Sequence, residues 1–293
     1  MYTEKSSQQA NQLNEEWAAP PAPTAGHDIP SAPIRDQREI WLGWAEVVKA
    51  VFLWIISFLL LLSVPVITAL PYAVYRILSL GAVAAQTLPT DKILLLFSVI
   101  GILPAHLLTL AVIWMVISEG GREPFWKTIG WEWPDRLSPS ATIIACVVLA
   151  LVLFGLAQLV TYIYGERKTD LDLIIESSLY ARLAMAFMAT ATAPLVEEVI
   201  YRGVLYRALE KAAGTAVAVP VVSLLFAGVH VWQYRNNVAV IIVITTLSIV
   251  LTVSRALTNK MLPAFIIHLA FNGIQSIFIV LGGFIDTDPT PLK

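Results

Sequence analysis

From residue 41 onward the chain alternates long apolar runs with short polar stretches. Residues 50–70, 93–118, 138–164, 212–234, 236–254 and 261–285 contain no Asp, Glu, Lys or Arg. At 1.5 Å per residue each run is long enough, or nearly so, to cross a hydrocarbon core of ~30 Å, so the pattern predicts membrane helices. Trp41 and Trp44 precede the first run as interfacial aromatics would, and Pro65 is expected to bend it. Residues 71–90, with Arg76 and many small side chains, fit a short membrane helix, an interfacial helix or a loop, and periodicity does not choose among them. Residues 119–137 read as an aromatic-rich interfacial connection, and residues 165–178 as a polar loop. The fold class is therefore all-α, a polytopic transmembrane bundle of about seven to eight spans.

Residues 1–40 differ from the rest. Pro20, Pro21, Pro23, Pro30 and Pro33 are too closely spaced for helix or sheet, and the surrounding Gln, Asn and Glu cannot build a core, so a disordered tail is expected. It lacks the pattern of a cleavable signal peptide. The expected organisation is that tail, N-terminal membrane helices with the interfacial segment at 41–138, a membrane core at 139–285 and a short C-terminal tail at 286–293.

Composition agrees with the pattern. Of 293 residues, 57% are hydrophobic and 14% charged, and the mean hydropathy is +0.73, too little polar surface for a water-soluble globule. The net charge of -2 and the lack of a basic tract argue against a nucleic-acid partner. Cys146 is the single cysteine, so an internal disulfide and a cysteine metal cluster are both excluded. With seven spans and a cytoplasmic tail, Lys and Arg outside the spans divide eleven to seven in favour of the tail's side. That division places the turn at Gly214 on the cytoplasmic side of what is expected to be a multi-pass plasma-membrane protein. The sequence is silent on oligomeric state.

One stretch breaks the apolar pattern. Glu197, Glu198 and Arg202 follow fourteen uncharged residues, 183–196, inside a helix expected to run from about 178 to 214. Ionisable groups at such a depth are costly unless paired and mark a functional site. Those 30-odd residues span roughly 50 Å, which puts Glu197 near mid-helix, and Pro194 is expected to open the backbone just before it. Glu198 and Arg202, at i and i+4, suit an ion pair. Glu197 projects about 100° away and is left as a general base.

Further polar intrusions lie at His230 and at His268 with Asn272, the latter two sharing one helical face. Counted from the Gly214 turn, Glu197 and His230 both lie about 25 Å in. His268 and Asn272 lie only roughly 10 and 17 Å in, so convergence needs a tilt or a last helix that starts below the surface. The face bearing His268 and Asn272 would supply donors to an oxyanion. Together these residues point to amide hydrolysis by activated water, without a covalent intermediate. His106, after Pro104, reads as a hydrogen-bonded structural residue, and Phe226 as packing beside the pocket.

Glu-Glu-x-x-x-Arg at 197–202, Phe-x-x-x-His at 226–230 and His-x-x-x-Asn at 268–272, in that order and each in a hydrophobic helix, resemble the three motifs of the CPBP (Abi) family. That family comprises intramembrane endopeptidases, including CAAX prenyl proteases and bacteriocin-processing proteins. The resemblance covers about residues 139–285. It implies that Glu197 is the general base, that His230 holds the water with it, that His268 and Asn272 form the oxyanion side, and that Glu198 and Arg202 support them. It also implies a membrane-associated peptide or protein substrate, prenylated or bacteriocin-like. The family has been described both as metal-dependent and as glutamic. The missing His-Glu-x-x-His signature favours a site without metal, while Glu197, His230 and His268 would be the ligands of a zinc-type alternative. The rival functional class is a non-catalytic scaffold or sequestering protein, or a proton-coupled transporter that uses the same polar cluster.

Overall fold

Apolar length makes the first helix. In a computed structural model that describes residues 37–165 and 167–285, α1 (Gln37–Leu80) runs for 44 residues through both Pro65 and Pro71. Residues 71–80 are thus its continuation, and α2 (Ala82–Thr87) with one 3₁₀ turn (Leu88–Thr90) leads to the next element. Hydroxyls along α1 fold back on the helix itself, as where Ser57 Oγ donates to the Leu53 carbonyl at 2.7 Å. This satisfies the polar group without a partner helix. The expectations for residues 1–36 and 286–293 lie outside the described residues. The described residues from Ile40 onward form one compact unit.

Asp91 starts α3 (Lys92–Ile100), its Oδ1 accepting from the amides of Ile93 and Leu94 at 3.0 and 3.1 Å. It also pairs with Arg76 at 3.2 Å. α4 (Ile102–Ile117) follows after Gly101, where a Cβ would stand 2.6 Å from the Cα of Pro65. Only a hydrogen fits where α1 crosses this junction. The interfacial segment holds α5 (Phe125–Thr128), with Phe125 and Ile129 turned into the core. α6 (Pro139–Tyr164) is capped by Ser138, whose Oγ accepts from the amide of Ala141 at 3.2 Å.

Part of residues 165–178, expected as a loop, is helical: α7 (Asp170–Ser177). The cause is a capping box, in which Asp172 Oδ2 accepts from the amide and the hydroxyl of Thr169 at 2.6 and 2.8 Å. α8 (Leu179–Phe187) opens the motif helix, which continues through α9 (Ala193–Glu198) and α10 (Tyr206–Ala213) to Gly214, at φ 82°. α11 (Thr215–Gln233), α12 (Val238–Thr258) and α13 (Leu262–Ile285) complete the chain.

Among the described residues six helical stretches are long and apolar enough to cross a membrane, and Thr215–Val231 is a shorter apolar seventh. This is a multi-pass integral membrane protein. Two apolar clusters hold it together. One joins α1 (Val47, Ala50, Leu53) to the motif helix (Val196, Val199, Leu205) and Phe226. The other packs small residues of α6, Ala150 and Ala157 among them, against Leu251, Ala264 and Ile267. Small side chains let helix backbones approach closely where no hydrophobic effect separates helix from lipid.

Candidate active site

The motif helix is not a regular α-helix. Two π-helical turns, Met188–Thr192 and Val199–Leu205, flank the short α9 that carries both glutamates. Pro194 falls at the start of α9, where its missing N–H removes one ladder bond, so the backbone opening expected there takes the form of a π turn. Such a turn adds a residue and rotates everything after it, which decides where Glu197 and Arg202 point.

Glu198 and Arg202 are both sealed, with side-chain exposure of 0%, and Arg202 Nη1 donates to Glu198 Oε1 at 2.9 Å. The other side of the guanidinium is held by α12: Nη2 donates to the Ser248 carbonyl at 3.1 Å and to Thr252 Oγ1 at 3.3 Å. Arg255, one turn further along α12, donates from Nε to the carbonyl of Arg202 at 3.2 Å. Ser248 and Thr252 play no part in the sequence reading, and Arg255 enters it only as one of the eleven cations counted outside the spans, whereas the structure buries it within α12. Their spacing puts them on one face of an apolar helix, and that polar stripe was the available signal.

His268 reaches this pair from α13. Its Nδ1 lies 2.8 Å from Glu198 Oε1, and its Nε2 lies 3.6 Å from Glu197 Oε2. An ionised carboxylate only accepts, so Nδ1 carries the proton toward Glu198 and Nε2 faces Glu197. The depth mismatch is resolved by a buried start to the last helix. Met261 and Ala264 are wholly buried, and the Met261 amide donates to the Gly130 carbonyl at 2.7 Å beneath the interfacial segment. Glu197, at 22% side-chain exposure, is the open member of the two glutamates.

His230 packs on the same cluster through Phe226. The two rings stack at 4.7 Å, and Phe226 meets His268 edge-on at 5.9 Å and Tyr201 edge-on at 5.0 Å. The Arg202 guanidinium carbon lies 4.7 Å from the Phe226 centroid. Phe226 is therefore the apolar hub between both histidines and the arginine. His230 Nδ1 is 2.8 Å from the Phe226 carbonyl. A carbonyl only accepts, so Nδ1 is the donor, and Nε2 of the neutral ring keeps a lone pair able to accept from water.

Asn272 lies one turn beyond His268 and donates from Nδ2 to the Ala189 carbonyl, inside the first π turn, at 2.9 Å. That leaves one amide hydrogen for another acceptor. Ser276 continues the stitch, with Thr190 Oγ1 donating to its Oγ at 2.8 Å. His106 Nδ1 is 2.8 Å from Thr192 Oγ1, which pins α4 to the same π turn. Tyr201 accepts from Trp54 Nε1 of α1 at 3.0 Å.

For a zinc-type cation the donors would be Glu197, His230 and His268. Among the described residues no three His, Cys, Asp or Glu side chains are drawn together as a metal-holding group. No curated protein and no solved structure matches the chain. Residues 178–274 match the family model described as type II CAAX prenyl endopeptidase Rce1-like. All three motifs fall within those residues, so this segment of the chain is similar to the Rce1-like, CPBP-type family.

Proposed function

We propose that the protein is a membrane-embedded endopeptidase that hydrolyses a peptide bond of a membrane-associated substrate with water activated by Glu197. The observation that carries this reading is the division of labour between adjacent carboxylates. Glu198 is neutralised by Arg202 and fixed to His268, while Glu197 is partly open and faces His268 Nε2 at 3.6 Å. That separation exceeds a hydrogen bond, yet a water beside the line of the two atoms reaches both at about 2.8 Å. The water gives one hydrogen to Glu197, and its other goes to Nε2 of His268 or to Nε2 of His230, whose tautomer is set by the Phe226 carbonyl.

The chemistry follows from these roles. Glu197 takes a proton from the water as its oxygen bonds to the substrate carbonyl carbon, and the carbonyl electrons move onto oxygen. The free amide hydrogen of Asn272 donates to that oxyanion. Glu197 then returns its proton to the leaving nitrogen as the C–N bond breaks, giving a carboxylic acid and an amine. Arg202 never meets substrate, because its part is to hold Glu198 in place and, through it, His268 in register. The family description makes a prenylated C-terminal peptide the first substrate class to try. Bacteriocin-like and other membrane-anchored peptides come next.

The test is mass-spectrometric cleavage profiling of purified protein on prenylated and membrane-anchored peptides. It compares wild type with Glu197→Gln, each with and without a chelator. Glu197→Gln keeps the shape and loses the base, so product should vanish, and chelator should leave the wild-type rate unchanged. Cleavage undiminished in Glu197→Gln would falsify the assignment of the base. Loss of wild-type cleavage with chelator would turn the mechanism to a metal.

A further inference from the structure

A second polar feature opens on the surface near the Gly214 turn, where the motif helix stops. It is a cavity of about 340 Å³ lined by five cationic side chains: Lys127, Arg207, Lys211, Arg255 and Lys260. Its two carboxylates already have partners. Glu132 Oε2 holds Lys260 Nζ at 2.6 Å, and Glu210 Oε1 accepts from the hydroxyls of Tyr206 and Thr215 at 2.9 and 3.2 Å. Five cations against two anions leave an excess of three positive charges in a concave site.

The floor of the cavity is built. Arg255 is almost wholly buried, its Nε committed to the Arg202 carbonyl at 3.2 Å. Gly130 lies over its guanidinium at φ 80°, where a Cβ would stand 3.1 Å from Nη2 and 3.3 Å from both Nη1 and Cζ. The missing side chain lets the Gly130 backbone pack close over the fork, whose Nη1 also donates to Asn259 Oδ1 at 3.4 Å, and the backbone conformation there favours glycine. This cavity is separate from the glutamate cluster, because wholly buried Ile129 and Met261 pack on Gly203, between Glu198 and Arg207. Its depth is that of the membrane–water interface. Trp126, half exposed beside Lys127, packs against Trp131 with ring centroids 5.2 Å apart, an arrangement suited to headgroup level.

We propose that this cavity binds the phosphate of an anionic phospholipid headgroup. Guanidinium forks match phosphate oxygens in pairs, ammonium groups add charge without demanding geometry, and basic pockets between membrane helices are suited to phosphorylated headgroups. The exposed Lys127 and Lys211 form the rim and Arg255 the base.

The experiment is native mass spectrometry of the full chain in detergent, with phosphatidylglycerol or phosphatidylcholine added at equal concentration. Wild type is expected to retain phosphatidylglycerol at least about tenfold better. Lys127→Gln/Lys211→Gln should weaken that retention about thirtyfold, from about fivefold for each lysine near the surface. Lys49→Gln/Lys92→Gln, which removes the same net charge elsewhere, should leave it unchanged. Equal retention of the two lipids, or undiminished preference in Lys127→Gln/Lys211→Gln, overturns the site. Full displacement of phosphatidylglycerol by millimolar inorganic phosphate overturns the lipid headgroup as occupant and assigns the cavity to soluble phosphate compounds.

Discussion

Replacing Arg202 with methionine removes the guanidinium that faces Glu198 across 2.9 Å in a site where both side chains have 0% exposure. Breaking such a pair from one side costs about 3–5 kcal/mol, because the surviving charge stays buried. Glu198 keeps one compensation, His268 Nδ1 at 2.8 Å. That hydrogen bond offsets part of the loss, so the expected cost lies at the lower end, about 3 kcal/mol. At about 2–4 °C per kcal/mol for a chain of this size, the unfolding midpoint should fall by about 6–12 °C. The assay is thermal unfolding in detergent of wild type, Arg202→Met, Glu198→Gln and the double variant, analysed as a double-mutant cycle. The double variant leaves neither charge stranded, so its cost should fall short of the sum of the singles by about 2 kcal/mol. Additivity within about 0.5 kcal/mol would refute the idea that the two groups are coupled and desolvated.

Other expectations are narrower. Gly101→Ala places a Cβ 2.6 Å from the Pro65 Cα. A backbone atom cannot swing away, so about 3 kcal/mol of stability should be lost, at the upper end for overpacking and measurable by the same unfolding assay. Asn272→Ala should lower kcat about 10²- to 10³-fold with little change in KM if its free amide hydrogen serves the oxyanion. Ser276→Ala, which loses its contact with Thr190, should cost only about 1 kcal/mol of stability, and equal kinetic damage in both variants would deny Asn272 that role. The Glu132–Lys260 pair gives a pH signature outside the membrane. Its hydrogen bond and charge hold the Glu132 carboxyl below its ordinary value and the Lys260 amine above its own. The carboxyl's contribution is present above the ordinary carboxylate pKa and is lost as pH falls through the depressed one. The amine's contribution is present below the ordinary lysine pKa and is lost as pH rises through the raised one. The difference in unfolding midpoint between wild type and Glu132→Gln should therefore be largest between those limits and close at both, and a difference that is flat with pH would contradict the pairing.

Much of the fold could be read from uncharged length. Residues 138–164, 236–254 and 261–285 reappear as Pro139–Tyr164, Val238–Thr258 and Leu262–Ile285, because a lipid-facing backbone must bond to itself and helix is the local way to do so. The i, i+4 spacing likewise made the Glu198–Arg202 pair legible, since both partners sit on one helix. Residues 71–80 were ambiguous because Arg76 and many small side chains fit a helix or a loop, yet α1 continues through them, with Tyr72 and Arg76 both meeting Asp91. The helix at 170–177 went unread because its Thr169–Asp172 box is short and polar, and polar patterns carry little periodicity.

What the sequence determined by itself was an all-helical membrane chain with three polar motifs in three of its helices, because those features depend on residues within one or two turns of each other. Tertiary structure decided the rest. It placed His268 between the two glutamates, enclosed the Arg202 guanidinium with Ser248 and Thr252 of another helix, and tied Asn272 to the Ala189 carbonyl in a π turn. It also set the start of the last helix beneath Gly130, which brings His268 to the right depth. Each of these pairs residues tens of positions apart, and only the packing of one helix face against another selects which polar atoms meet.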